Sequence, residues 1–169
     1  MTRICVLSTS PSRDSRSRES AKYVVNLLEQ TPDITVDYID LQETPIDLYP
    51  GQTEDAQRSD LIRRFNSVDG WIIAGAVYNG GASAHIINFL HFALDSDKTP
   101  HGRPFFLIVS AGGNSSLFAF DELGARIRRE VKAVEVGAAV LVTKDVPANE
   151  ARLKAQVELF LPLAELHGR

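Results

Sequence analysis

The sequence predicts an α/β fold in which five parallel strands form a doubly wound sheet with helices on both faces. Strand-like and helix-like segments alternate along the chain, which is the pattern of a parallel sheet. Several strand-like runs are apolar without interruption, as strands covered on both faces are. The 169 residues are 44% hydrophobic and 24% charged, which suits one compact domain over residues 1–169. We expect the three-layer strand order 2-1-3-4-5 with right-handed crossovers.

The predicted strands are short and are bounded by turn-forming residues. They run from Arg3 to Ser8, Thr35 to Leu41, Gly70 to Ala76, Pro104 to Ser110 and Gly137 to Thr143. Helix-like periodicity fills the intervals between them and the segment after the last strand. The predicted helices run from Ser17 to Gln30, Glu54 to Ser67, Ser83 to Leu94, Ser116 to Val134 and Asn149 to His167. The longest irregular piece, Gln42 to Thr53, is expected to be a surface loop that edges a binding site.

The charge and hydropathy of the chain narrow the class of protein. A net charge of −4 without a basic or acidic tail argues against a surface for nucleic acid. The sequence has no run of about 18 apolar residues, so no membrane span is predicted. Because Arg3 leads directly into a strand-like run rather than an apolar secretory segment, we expect a cytoplasmic protein. The single cysteine, Cys5, lies in that run and is predicted to be a buried, unreactive thiol.

The segment between the first strand and the first helix combines hydroxyls, arginines and a helix start. It reads Ser8-Thr9-Ser10-Pro11-Ser12-Arg13-Asp14-Ser15-Arg16-Ser17. Backbone N–H groups at a helix N-terminus lack partners within the helix, and serine hydroxyls and an arginine side chain can bind the same anion. The segment therefore predicts a phosphate site. An ordinary turn capped by serine or aspartate is the alternative.

Two further loops are expected at the same edge of the sheet. In this fold class a ligand lies outside the carboxyl ends of the strands, here in the crevice between strands one and three. The loop Val77-Tyr78-Asn79-Gly80-Gly81-Ala82-Ser83 follows strand three, and its glycines and tyrosine suit a flat ligand. The loop Ser110-Ala111-Gly112-Gly113-Asn114-Ser115 follows strand four. Packing for Tyr78 and a plain turn role for Asn79 are the alternatives.

Most of the chain resembles the NADPH-dependent FMN reductases of flavodoxin-like fold, and its motifs are most similar to the FMN reductases that supply sulfonate monooxygenases. Ser10-Pro11 with Ser15-Arg16-Ser17 is similar to the family's phosphate loop. Val77-Tyr78-Asn79 is similar to its turn against the isoalloxazine ring, and Gly112-Gly113 to its glycine loop. The resemblance implies bound FMN, with NADPH or NADH as electron donor. It assigns cofactor contacts to Ser8, Ser10, Ser15, Arg16, Ser17, Val77, Tyr78, Asn79, Gly80, Ser110, Gly112 and Gly113.

Two departures from the family pattern lie near the expected flavin ring. Ala76 stands where the family usually has proline. The following helix carries Ala84, Ile86, Ile87 and His91 where the family has glycine, leucine, lysine and aspartate. The resemblance implies that the family's lysine and aspartate serve this helix and the subunit interface, so their replacement bears on assembly.

The helix from Ser83 to Leu94 has almost no polar face. Helices that are apolar all round are buried all round. The sheet covers one side, and a second copy of the chain is the simplest cover for the other, so we predict a homodimer or homotetramer. A crowded core helix is the alternative.

The resemblance implies that a nicotinamide passes a hydride to FMN and that reduced flavin is released or reduces a second substrate. The expected partners are a small-molecule acceptor or a flavin-dependent monooxygenase. Reduction of quinones or azo compounds, and a non-catalytic flavin-binding module, are the alternatives. No residue is predicted to act as a catalytic acid or base. Ser83 lies too far past its strand for a hydrolase nucleophile, and His85 and His91 point about 120° apart on a helix, which does not suit a metal site.

Overall fold

The structure is a parallel sheet with the predicted order of its central strands. The computed structural model describes residues 1–50, 55–94, 99–111 and 118–168. Its strands are β1 (Thr2–Ser8), β2 (Ile34–Asp40), β3 (Gly70–Tyr78), β4 (Gly81–Ala82), β5 (Pro104–Ser110), β6 (Val134–Glu135) and β7 (Val140–Val142). The main path is β2-β1-β3-β5-β6, and β7 also pairs with β5. These pairings are parallel, which confirms the order of the first four predicted strands.

The last predicted strand differs from the expectation, because two short strands replace it. β6 pairs with the start of β5, and β7 pairs with its end. Gly137 between them has a φ of +66°, which a strand does not hold, and the Gln156 side chain packs where a Cβ on this glycine would lie. The strand predicted to begin at Gly137 therefore begins at Val140. Val134, predicted at the end of a helix, belongs to the sheet.

Helices flank the sheet on both faces, which confirms the three layers. Within the described ranges they are α1 (Arg16–Glu29), α2 (Ala56–Asn66), α3 (Ala84–Leu94), α4 (Phe118–Val131) and α5 (Val146–His167). On one face α1 and α5 pack against Ile4, Val6 and Phe106. On the other face α2, α3 and α4 pack against alternate residues of the same strands, such as Cys5 and Leu7. The predicted helix start at Ser116 lies outside the described residues.

The interior is apolar along the central strands. All seven residues of β5 are buried, as the uninterrupted apolar run predicted. Cys5 is fully buried and unpaired, which confirms the expectation of a structural thiol, and burial raises its pKa. None of the helices in the described ranges has both the length and the apolar character that crossing a membrane requires.

Candidate flavin-binding site

The carboxyl ends of β1, β3 and β5 open onto one cavity of about 330 Å³. The β1–α1 loop forms one wall, and the ends of β3 and β5 form the others. The lining residues are Ser10, Ser12, Asp14, Ser15, Arg16, Ala76, Val77, Tyr78, Ser110 and Ala111. The crevice expected between the first and third strands is therefore present, at the point where the winding of the sheet reverses.

The β1–α1 loop ends in a capped helix N-terminus that faces this cavity. Ser15 is the N-cap of α1, and its hydroxyl accepts from the Arg18 N–H at 3.3 Å. The Ser15 and Ser17 hydroxyls are hydrogen bonded at 2.8 Å. The N–H groups of Arg16 and Ser17 belong to the first turn, where an α-helix supplies no acceptor of its own. The cap therefore satisfies one donor of this turn and leaves the remaining ones for an anion.

Arg16 supplies the positive charge of the cavity. Its Nε donates to the Ser110 hydroxyl at 3.3 Å, which joins the α1 N-terminus to the end of β5. Within the described residues no carboxylate lies within ion-pair distance of this guanidinium. Its unused N–H groups can therefore bind an anion without breaking an ion pair.

Tyr78 forms the opposite wall, and it lies on a strand rather than in a loop as predicted. β3 continues through Val77 and Tyr78, which pair antiparallel with β4. Asn79 and Gly80 form the two-residue turn between these strands, with φ of 49° and 79°. An Asn-Gly pair with positive φ is the preferred turn of a β-hairpin, since its twist matches that of the strands. The Tyr78 hydroxyl lies 3.2 Å from the Ser10 hydroxyl, so a hydrogen bond closes the cavity between β3 and the β1–α1 loop.

Ser83 does not line the cavity but connects two of the elements around it. Its side chain is buried, and its hydroxyl donates to the Thr9 carbonyl at 3.0 Å. The same hydroxyl is 3.5 Å from the Ile86 N–H at the start of α3. Ser83 thus links α3 to the first residue after β1, and its burial agrees with the argument against a serine nucleophile.

Arg18 was missed by the sequence reasoning, although it organises the whole β1–α1 loop. Its buried guanidinium donates to both Asp40 carboxylate oxygens, at 2.6 and 3.2 Å. It also donates to the carbonyls of Ser10, Ser12 and Arg13. The pKa of Arg18 is raised, chiefly by the hydrogen bond to Asp40. The sequence shows an arginine inside the first predicted helix and an aspartate near the end of the second predicted strand, but only the structure brings the two together.

Four of the other predicted contact residues, all of them described, lie outside the cavity lining. Ser8 and Ser17 are completely buried. Asn79 and Gly80 are exposed at the tip of the hairpin, because the hairpin extends past the sheet edge. Gly112 and Gly113 lie outside the described residues. Ser12, Asp14, Ala76 and Ala111 line the cavity without having been assigned contacts.

The loop after β2 packs against α3 rather than against the cavity lining. Asn88 accepts from the Tyr49 N–H at 2.8 Å and donates to the Asp47 carbonyl at 2.9 Å. The Tyr49 ring stacks on His91 with centroids 5.1 Å apart. Arg126 of α4 donates to the His91 ring at 3.0 Å. His91 therefore serves the packing of three elements, in agreement with the argument against a metal ligand.

A second cavity of about 340 Å³ lies between α1 and α5 and shares Arg16 with the first. Its lining adds Glu19, Glu150 and Lys144 to Arg16, so its formal charges balance, as those of Arg16 and Asp14 do in the cavity at the strand ends. The serine hydroxyls of the β1–α1 loop line the latter cavity. An anionic group is therefore better accommodated at the strand ends.

Solved structures place this fold in the flavodoxin-like class. The chain is similar to an NADH:FMN oxidoreductase in its apo form, with 20% identity over 96% of this chain and 90% of the other and a TM-score of 0.75. It is similar to an FMN-dependent NADH-azoreductase from Bacillus anthracis in complex with FMN, with 13% identity, 96% and 99% coverage and a TM-score of 0.71. A flavodoxin, WrbA-like protein from Agrobacterium tumefaciens has 15% identity, 99% coverage of both chains and a TM-score of 0.70.

The family follows from the sequence itself. Residues 2–147 match the model of the NADPH-dependent FMN reductases, so the chain belongs to this family. The predicted membership of the FMN reductase family is thereby confirmed, whereas the closer similarity to the reductases of sulfonate monooxygenases stays a prediction. The chain is an NAD(P)H-dependent FMN oxidoreductase by family. No curated protein matches the sequence.

Proposed function

We propose that the cavity at the strand ends binds FMN and that this site carries the reductase activity. The observation that supports it best is that one cavity combines a helix N-terminus, an aromatic wall and an arginine that has no carboxylate partner among the described residues. The first two features suit a phosphate group, and the third suits a flat ring. The residues present therefore fit both ends of FMN.

The phosphate would be held by the β1–α1 loop. Ser10, Ser15 and Arg16 line the cavity and offer two hydroxyls and a guanidinium group. The N–H groups at the start of α1 add donors and a favourable dipole. Ser17, which is buried, contributes indirectly through its hydrogen bond to the Ser15 hydroxyl.

The flavin ring would lie along the end of β3. Tyr78 is 42% exposed, so its ring is open to contact, while its hydroxyl is held by Ser10. Val77 and Ala76 supply apolar surface, and Ser110 marks the opposite side. Asn79 and Gly80 fix the hairpin that carries Tyr78, so their contribution to the ring is positional. Gly112 and Gly113 lie outside the described residues and are proposed as FMN contacts from their sequence motif alone.

FMN, when bound, supplies the chemistry of accepting a hydride from a nicotinamide and passing electrons onward. The chain's own residues bind and orient it. No side-chain acid or base is proposed for the reaction, because the hydride passes between the nicotinamide and the flavin. The electron donor is NADPH or NADH, and the acceptor is proposed to be a small molecule or a flavin-dependent monooxygenase in the cytoplasm.

The face formed by α3 and α4 is proposed to bind a second copy of the chain in a homodimer, or in a homotetramer. Ile86, Phe89 and Leu90 are buried against the sheet, whereas Ile87 is only partly covered. Ile87 lines a groove of about 580 Å³ with residues of α4 such as Ala125. The groove also carries the charged residues Glu122, Arg126 and Arg129, and its position beside the hairpin that carries Tyr78 would bring the partner close to the flavin.

Titration of the purified apoprotein with FMN, followed by anaerobic addition of NADPH, tests the function. We expect saturable flavin binding and bleaching of the flavin absorbance near its long-wavelength maximum. Binding without bleaching by NADPH or NADH would contradict the reductase and favour a non-catalytic flavin module. Absence of FMN binding would refute the site itself.

A further inference from the structure

The Arg18 guanidinium of α1 donates hydrogen bonds to three carbonyls of the β1–α1 loop. Its Nε and Nη2 donate to the two Asp40 oxygens, at 2.6 and 3.2 Å. Its Nη1 donates to the Ser12 carbonyl at 2.5 Å and to the Arg13 carbonyl at 2.8 Å. Its Nη2 also donates to the Ser10 carbonyl at 3.1 Å. A single planar group therefore contacts the end of β2 and three carbonyls of the loop.

These contacts determine where the loop's N–H groups point. Within the described residues the only cis peptide bond precedes Pro50, so the peptides after Ser12 and Arg13 are trans. In a trans peptide the N–H points opposite to the C=O. Since both carbonyls point at Arg18, the N–H groups of Arg13 and Asp14 point away from it. Ser12 and Asp14, which flank these peptides, line the cavity, so the peptides lie at its wall and N–H groups turned away from the buried guanidinium can reach a ligand there.

We propose that Arg18, oriented by Asp40, is a positioning residue that shapes the β1–α1 loop to bind a phosphate group through the N–H groups of Arg13 and Asp14. This inference rests on the proposed FMN site and adds to it a buried ion pair that orients the loop. Arg18 contacts no ligand itself, because it is only 7% exposed and lies outside the cavity lining.

The charge balance favours positioning over direct attraction of the phosphate. Asp40 is 4% exposed and neutralises Arg18 at hydrogen-bond distance, so the pair presents little net charge to the cavity. Asp40 is held in turn by the Tyr38 hydroxyl at 3.2 Å and the Gln42 N–H at 3.1 Å. Burial, with the nearby Asp40 charge, raises the pKa of Tyr38 to about 12. A lysine cannot replace this arrangement, since its ammonium group lacks the planar fork that spans carboxylate and carbonyls.

The same strand offers a matched control. Arg64 of α2 donates to Asp37 of β2 and to the Tyr38 carbonyl, at 2.9 Å from its Nε and 2.8 Å from its Nη2. This arginine also pairs with an aspartate of β2 and also binds a backbone carbonyl. It makes no contact with the β1–α1 loop.

The test compares FMN with riboflavin, which lacks the phosphate, in the wild type, Arg18→Lys, Asp40→Asn and Arg64→Lys. We expect Arg18→Lys and Asp40→Asn to raise the Kd for FMN about tenfold and to change the Kd for riboflavin less than about twofold. Arg64→Lys is expected to leave the ratio of the two Kd values unchanged. Equal losses for both flavins, or an unchanged FMN Kd, would overturn the inference. A wild type that binds both flavins equally would instead refute the proposed phosphate site.

A second experiment uses the wild type and therefore does not depend on whether the Arg18→Lys and Asp40→Asn variants fold. Inorganic phosphate is titrated into the apoprotein while backbone amide resonances are followed by NMR. We expect the Arg13 and Asp14 amides to shift together with those of Arg16 and Ser17 at the start of α1. Shifts confined to the α1 N-terminus would show that the peptides whose carbonyls bind Arg18 do not direct their N–H groups at the phosphate. That result would overturn the inference.

Discussion

Replacement of Arg16 by alanine tests whether this side chain binds the flavin phosphate. The guanidinium is partly buried, lacks a carboxylate partner within the described residues and uses its Nε on Ser110. A hydrogen bond to a charged group contributes about 1.5–3 kcal/mol, and partial exposure places Arg16 near the lower end of that range. Since about 1.4 kcal/mol corresponds to a factor of ten, we expect the FMN Kd to rise about tenfold.

Flavin fluorescence measured during titration gives the Kd for FMN and for riboflavin separately. The riboflavin Kd of Arg16→Ala should change little, because riboflavin has no phosphate. Lys22→Ala is the matched control, since it removes an equal charge from an exposed position of α1 that does not line the cavity. An equal loss in both variants would assign the effect to net charge. An unchanged FMN Kd in Arg16→Ala would place the phosphate elsewhere.

Three further outcomes are expected. Tyr78→Ala should weaken FMN and riboflavin alike, by about two- to tenfold, because it removes the aromatic wall; selective loss of FMN would contradict this role. The Cys5 thiol of the folded protein should not react with a thiol reagent. The free energy of unfolding should fall by about 1.4 kcal/mol per pH unit above about pH 8.5, because the unfolded thiol ionises while the buried one keeps its proton. Urea titrations in which Cys5→Ala shows the same alkaline decline would exclude this cause. Ala125→Glu should shift sedimentation toward the monomer, whereas Ala151→Glu on α5 should not; identical profiles would argue against the α3–α4 interface.

The fold was predictable because strong, local signals specify it. The apolar runs of β1, β3 and β5 can be buried only in a sheet covered on both faces, and their alternation with helices leaves a parallel arrangement. The end of the sheet was less predictable. Gly137 and the Gln156 side chain that packs beside it divide the last strand, and this contact joins residues far apart in the chain.

The site was predictable as a location and only partly as a set of side chains. The hydroxyls and arginine after β1 marked the phosphate end, since capping and anion binding use the same residue types. Whether Ser15 or Ser17 faces the cavity depends on the rotation of the first helical turn. Tyr78 was expected in a loop because glycines follow it, yet the Asn79-Gly80 turn extends β3 through it.

The sequence by itself determined the fold class, the family and the edge of the sheet at which the candidate site lies, because periodicity, turn residues and loop motifs are local properties of the chain. Only the tertiary structure decided which groups meet there. It brought Asp40 at the end of β2 to Arg18 in α1, and Ser110 at the end of β5 to Arg16. Such pairs form between segments that only the completed sheet brings together, so no local pattern could specify them.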